Sequence, residues 1–218
     1  MGLAARIYYA TWGRGFAAIY DRGLKATEDA GLREMRRQVL AGATGRTVDV
    51  GAGTGVNLEL FPAAVTELVL VEPDPHMLKK LRVKLAQRGG EASVIEAAAE
   101  RLPFADRSVD TVVFTLVLCT VPDPLAALAE SARVLRPGGK LLFVEHVRSQ
   151  DPGLARWQDR LEKPWRFLAD GCHCNRDTVA MIEASRFELQ QVEHDRLPKA
   201  APIVRPLARG SATLVACV

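Results

Sequence analysis

Along residues 3–40 polar and apolar positions alternate at helical spacing, with aromatic side chains at Tyr8, Tyr9, Trp12, Phe16 and Tyr20, and the rhythm stops at a glycine-flanked turn over 42–45. One or two helices packed beside a core are expected there. The pattern then changes to short β-branched runs at 47–50, 67–71, 93–95, 111–114 and 140–145, with two further β-like stretches at 188–193 and 211–218. Between the runs lie segments of helical period. Pro75 opens one in which Met77, Leu78, Leu81 and Leu85 share a face. Asp123-Pro124 opens another, whose apolar face is expected to continue through Leu125, Leu128 and Leu135 until Pro137-Gly138-Gly139 stops it. A Trp-rich stretch occupies 151–175, and a helix is expected over about 176–184. Strands alternating with helices predict an α/β protein whose parallel sheet is covered on both faces.

The chain has 218 residues, a length that suits one domain with a single core. Its expected layout is an N-terminal helical cap over 1–46, a core over 47–150, and a covering insertion with the last strands over 151–218. A hydrophobic fraction of 48% beside 25% charged residues excludes disordered, collagen-like and coiled-coil classes. The net charge of +3 is too small and too scattered for a nucleic-acid partner. No apolar run reaches the length of a spanning helix and no signal peptide is visible, so no stable membrane insertion and a cytoplasmic location are expected. Cys119, Cys172, Cys174 and Cys217 read as reduced thiols. The Cys172-His173-Cys174 run lacks a second ligand pair at zinc-site spacing, so no metal is expected.

Candidate chemistry concentrates in Val48-Asp49-Val50-Gly51-Ala52-Gly53-Thr54-Gly55, a strand running into a glycine loop ahead of an expected helix. Glycine there lets backbone approach a ligand without Cβ obstruction, and helix N–H groups would face the bound group. Glu72 follows Gly51 by 21 residues at the tip of the next strand, where an acid accepts hydrogen bonds from ribose hydroxyls. The spacing separates two readings. A dinucleotide fingerprint needs G-x-G-x-x-G, but Val56 stands at the third glycine position and Gly55 comes one residue early. Asp49 adds an anion where a positively charged amino group is expected.

On the blocks 48–55, Val71-Glu72-Pro73-Asp74, 98–104 and 133–139, the sequence resembles the class I S-adenosylmethionine-dependent methyltransferases, the group that includes the ubiquinone and menaquinone C-methyltransferases. The resemblance implies a Rossmann-like three-layer sandwich with a seven-stranded, mostly parallel sheet and S-adenosyl-L-methionine across the strand tips. It implies that the methionine end lies near Asp49, Gly51, Ala52, Gly53 and Thr54, with Glu72 on the ribose and Pro73 and Met77 flanking the adenine. Ala99 and Glu100 look like the segment beside the adenine amino group, and Thr115, Leu116 and Val117 like the strand tip beside the methionine part. Ala98 departs from the Asp that many relatives carry there; Glu100, a backbone group or apolar contact takes its place. A narrower resemblance over 96–212 carries Cys119, Glu145-His146-Val147, Trp157-Gln158, Pro164-Trp165, Asp170-Gly171-Cys172 and Arg176-Asp177-Thr178. It points to the methyltransferase-like alkyl thiol S-methyltransferases, whose N-terminal membrane-anchoring segment is not expected here.

Methyl transfer from a sulfonium requires the acceptor to be held in line and water to be excluded. A thiol acceptor, with a pKa of about 8.5, ionises at modest cost beside a weak base. His146, beyond the fifth strand, is the first candidate for that base, and Asp170 and His173 come next. Trp157, Trp165, Cys172 and His173 are the candidate acceptor contacts. The expected function is therefore methylation of a small molecule, a thiol first, then carbon methylation of a quinone precursor, then nitrogen or oxygen methylation of a small metabolite. A nucleic-acid methyltransferase is disfavoured, since Leu116-Val117-Leu118-Cys119 stands where an Asn/Asp-Pro-Pro-aromatic motif would be. A non-enzymatic cofactor-binding module is the remaining class.

Overall fold

The computed structural model describes residues 14–89 and 91–215; Tyr8, Tyr9, Trp12 and Cys217 lie outside them. Helix α1 (Arg14–Thr27) passes through a wide turn, Glu28–Leu32, into α2 (Arg33–Leu40). The break falls on Gly31, whose φ of 142° is open to glycine and costly for other residues.

Strands β1 (Gly45–Val50), β2 (Val65–Val71), β3 (Ser93–Ile95), β4 (Val109–Thr115), β5 (Leu135–His146), β6 (Phe187–Arg196) and β7 (Pro206–Leu214) form one sheet in the order β3-β2-β1-β4-β5-β7-β6. All neighbours from β3 to β5 run parallel, and β7 enters antiparallel between β5 and β6. The chain winds outward in both directions from β1 and β4, which leaves a crevice beyond their carboxyl ends. Thr47, Val48, Asp49 and Val50 are all buried, as befits a central strand covered on both faces.

The helices α3 (Pro75–Arg88), α4 (Pro124–Val134), α5 (Pro152–Leu168) and α6 (Thr178–Glu183) supply the rest of the covering. One face of the sheet packs Val48, Val50, Phe114 and Phe143 against Leu128 of α4 and Ile182 of α6. On the other, Leu32 and Leu40 meet Val144 and Leu142, while Leu78 and Leu81 of α3 cover Leu70. Each such fully buried large side chain contributes about 1.5–3 kcal/mol. Two sheet faces, each under helices, make the three-layer α/β sandwich. Among the described residues no helix is long and apolar enough to cross a membrane.

Several boundaries differ from the sequence reading. Leu125 is 56% exposed, because α4 buries Pro124, Ala127, Leu128, Ser131 and Ala132, a face that Leu125 misses by about one 100° step. Leu135 belongs to β5, where it pairs with Val109 before 136–139 bulge outward with Gly138 at φ 74°. The last strand is Pro206–Leu214, earlier than expected. The Trp-rich stretch contains the 17-residue α5, opened by Asp151, whose side chain accepts from Leu154 N at 2.7 Å, and by Pro152 in the first turn. Gln158 anchors that helix: its amide nitrogen lies 3.1, 2.7 and 2.9 Å from the carbonyls of Val147, Cys174 and Ile203, and its oxygen accepts from Ser149 N at 2.8 Å.

Candidate active site

Strand β1 delivers the chain to Gly51 (φ 66°), Gly53 (φ 56°) and Gly55 (φ 81°). A Cβ on Gly51 would stand 2.5 Å from Val117 Cγ2, and one on Gly55 2.7 Å from Leu81 Cδ1, so close approach as well as φ requires glycine at both. The expected helix after the loop is instead a run of turns, with Leu58 N bonded to Gly55 O and Leu60 N to Asn57 O. These three-residue closures replace the regular helical ladder, and the loop amides bond inward, Ala52 N to Val71 O and Gly55 N to Ala52 O.

Glu72, buried at the tip of β2, fixes the other wall. Its Oε2 accepts from Gly53 N and its Oε1 from Asp74 N, both at 2.8 Å. Burial pushes its carboxyl up to about 7, against the pull of those two amides. Each oxygen keeps a lone pair for a hydroxyl donor. Asp49 is buried beneath the loop, and its two oxygens share the Asn57 amide, 3.1 Å from each. Burial raises it to about 7 as well, opposed by the Asn57 bond and the Arg36 charge. Asn57 also donates to Thr115 Oγ1 at 2.9 Å and accepts from Arg36 Nη1 at 3.2 Å.

Arg36 escaped the sequence reading. It is fully buried on α2, bonds Glu28 through Nε at 3.0 Å, and leaves Nη2 buried with no partner. An arginine in an amphipathic helix of several arginines carries no sequence mark of burial. Tyr20 of α1 stands over Gly53, with Cε1 3.9 Å from where its Cβ would be, and burial pushes its phenol up to about 12. Thr54 donates to Asp21, and Lys80 reaches the Ala17 carbonyl, so α1 is tied across the loop.

The third wall is the segment after β4. Leu116 adopts φ 61°, and the turn curls around the fully buried Glu145 carboxylate, which accepts from Val117 N at 2.8 Å and from Leu118 N and Cys119 N at 3.0 Å. Charge-assisted bonds to three consecutive amides fix the loop that closes on Gly51. Glu145 was legible only as part of a resemblance. Arg176 Nη1 lies 2.7 Å from both the Leu118 and Val121 carbonyls and clamps the same loop from outside.

Residues 170–174 cross this loop as a strap. Asp170 (φ 49°) and Gly171 (φ 88°) turn it, and Asp170 acts electrostatically on Glu72. His173 N donates to the Cys119 carbonyl at 2.7 Å. The His173 ring sits 2.8 Å from Glu162, and burial, with Arg176 nearby, lowers its pKa. Cys172 is buried beside Cys119, and the Trp165 indole N–H, buried without an oxygen or nitrogen acceptor, lies against the Cys172 thiol. Trp157 is not part of this cluster: 54% exposed, it faces outward beneath Arg160, because it lies a helical step away from the buried Ala155 and Gln158. It cannot wall an enclosed pocket.

His146 ends β5 with its imidazole against the Val204 and Pro206 carbonyls and Nδ1 buried without a partner; burial lowers its pKa to about 4. Met77 and Ala99 are buried and Pro73 partly so. Glu100 accepts from Asp123 N at 3.2 Å, which ties its carboxylate to the start of α4. Ala98 is exposed, with its carbonyl accepting from Arg101 N. Among the described residues no three His, Cys, Asp or Glu side chains converge as metal ligands.

A glycine loop bonded to a buried acid at the tip of the next strand, at the switch point of a 3-2-1-4-5-7-6 sheet with one antiparallel strand, defines a class I S-adenosylmethionine-dependent methyltransferase. Residues 48–143 match the family described as "Methyltransferase domain". Human thiol S-methyltransferase TMT1A is 35% identical over 90% of this chain and 82% of its own length. A phosphatidylethanolamine N-methyltransferase of Cereibacter sphaeroides is 32% identical over 66% of this chain and 74% of its own. Among solved structures, the YcgJ protein of Bacillus subtilis superimposes with a TM-score of 0.66 at 20% identity, covering 87% of this chain and 100% of that one. The chain belongs to the class I S-adenosylmethionine-dependent methyltransferases and is close to the TMT1 thiol S-methyltransferases.

The residues present fit the cofactor. A buried carboxylate with no cation in contact, an orphaned guanidinium nitrogen and a glycine at 53 with open space beside it are what an amino-acid-bearing nucleoside needs.

Proposed function

We propose that this enzyme methylates the sulfur of a small thiol. The observation that carries the reading is the strap of Asp170, Cys172 and His173 lying across the β4 loop at the strand tips, where an acceptor must enter; the similarity to a thiol S-methyltransferase over nine-tenths of the chain favours sulfur. When bound, S-adenosylmethionine supplies an electrophilic methyl group, and the chain's part is to hold its donor and acceptor in line.

In this reading Asp49 receives the cofactor's ammonium group, Arg36 Nη2 its carboxylate, and Glu72 the two ribose hydroxyls. Gly51, Ala52, Gly53 and Thr54 pass beneath the methionine part, Thr115, Leu116 and Val117 flank it, and Pro73, Met77, Ala99 and Glu100 border the adenine. Trp165, Cys172 and His173 border the acceptor. His146 is neutral throughout the physiological range, and taking a proton from a thiol of pKa about 8.5 is uphill by more than four pH units. Its role is therefore to accept a hydrogen bond at Nδ1 and aim the sulfur, while the proton leaves to water.

The relative named for phosphatidylethanolamine supports a second reading, an amine acceptor. One screen decides between them: thiols, amines, phenols and quinols are offered with S-adenosylmethionine and the formation of S-adenosylhomocysteine is measured. We expect turnover with thiols. Turnover confined to amines or quinols overturns the sulfur assignment, and binding of the cofactor without turnover of any acceptor favours a module without catalysis.

A further inference from the structure

Cys119 and Cys172 are 53 positions apart in sequence, yet their sulfurs lie 3.9 Å from each other, both buried. One belongs to the loop that Glu145 and Arg176 hold at the cofactor crevice; the other belongs to the strap that crosses it. Their backbones are already joined, since His173 N donates to the Cys119 carbonyl. Cys119 Sγ also lies 3.6 Å from Thr120 Oγ1 and interacts with the Glu145 carboxylate, and the Trp165 indole N–H lies against Cys172 Sγ. A third thiol, Cys174, faces away toward the Gln158 carbonyl at 3.7 Å and does not compete for the pair.

We propose that Cys119 and Cys172 form a reversible disulfide that fastens the strap to the cofactor loop and stops methyl transfer. The sulfurs must close by roughly 2 Å to reach the S–S length of about 2.0 Å. The movement falls to the strap, which turns on Asp170 and Gly171, both at positive φ. Cys172 is the attacking thiol. Its pKa is lowered, chiefly by the Cys119 thiol beside it, whereas that of Cys119 is raised, so Cys172 is the one of the two that gives up its proton more readily.

The oxidant is a peroxide. The Cys172 thiolate attacks one oxygen, the O–O bond breaks, and the departing hydroxide takes a proton and leaves as water, with Cys172 now a sulfenic acid. Cys119 sulfur then displaces the sulfenic oxygen, which leaves as a second water with the thiol proton. Both thiols have together lost two electrons, and the peroxide has gained them. A dithiol reductant reverses the change by thiol–disulfide exchange. Because the bond joins the entrance strap to the loop that lines the methionine part, its formation blocks acceptor entry.

The test uses the full chain, treated with hydrogen peroxide, alkylated, digested and mapped by mass spectrometry, with S-adenosylhomocysteine formation followed in parallel. The expected result is a Cys119–Cys172 linked peptide pair lighter by two hydrogens, and a loss of turnover of roughly fivefold or more, the scale of ordinary coupling between sites. A dithiol should restore both. Cys119→Ser and Cys172→Ser, each compared with itself before and after peroxide, should lose the reversible component, while Cys174→Ser keeps it. Oxidation of these thiols only to sulfinic acid, a link to another cysteine, or a link that leaves turnover unchanged overturns the proposal. The mapping on the unmutated chain stands even if a serine variant fails to fold.

Discussion

Asp49 and Glu72 are held in an uncomfortable condition: both carboxyls are pushed up to about 7 by burial, so near neutrality each keeps its proton part of the time. Unfolded, they titrate near 4, so over about pH 4–7 the folded chain binds more protons and these two groups make it less stable as pH rises. A cation at Asp49 reverses this by favouring the carboxylate. Affinity for S-adenosylmethionine should therefore rise with pH up to about 7 and then level, falling by roughly tenfold per pH unit below that for each carboxyl that must ionise. Calorimetry across pH 5–8 measures it, with proton release visible in buffers of different ionisation enthalpy. Asp49→Asn should weaken binding about 10–100-fold at pH 8, the loss of one charged hydrogen bond, and flatten the slope. His146→Ala should lower thiol turnover by a similar factor at both pH 7 and pH 9; full recovery at the higher pH would mark His146 as a base instead of an aiming group. The glycines and Glu72 were readable because their spacing is set by backbone geometry. Arg36 and Asn57 were not, and Glu145 was so only through the resemblance, since their partners lie on other strands and helices and no local pattern announces them.

Asp-Pro opens α3, α4 and α5, and in each the aspartate side chain caps the first turn. The proline at 75 and the Asp123-Pro124 pair announce their helices in the sequence, whereas at Asp151 the helix is obscured because Pro164 interrupts the helical pattern. Strand cores were legible from β-branched runs, yet their ends were not, because pairing extends β1, β2, β4 and β5 past the residues with strand propensity. The antiparallel insertion of β7 between β5 and β6 was not legible, because the two strands alternate too weakly to show partners, and the resemblance implied only a mostly parallel sheet of seven strands. Their junction makes its own demand. A Cβ on Gly210 of β7 would fall 1.9 Å from the Gln191 carbonyl oxygen at the irregular register of β6. Gly210→Ala should therefore cost about 3 kcal/mol in urea unfolding, at the upper end for overpacked sites.

In the proposed reading the seat for the cofactor is assembled from distant parts of the chain: Arg36 on α2, Asp49 and the glycine loop after β1, Glu72 after β2, and the β4 loop locked by Glu145 of β5. The helices ahead of β1 bring Arg36, Tyr20 and Asp21 to it, although the family match begins only at residue 48. Arg36→Met, which keeps the bulk and removes the guanidinium, should weaken S-adenosylmethionine binding about 10–100-fold, as loss of a charged hydrogen bond does, with a smaller effect on unfolding. An equal effect on both would mean that Arg36 serves only the fold. Anyone trimming this enzyme for crystallisation or fusion should accordingly spare residues 14–40, because in the proposed reading those helices wall the ligand.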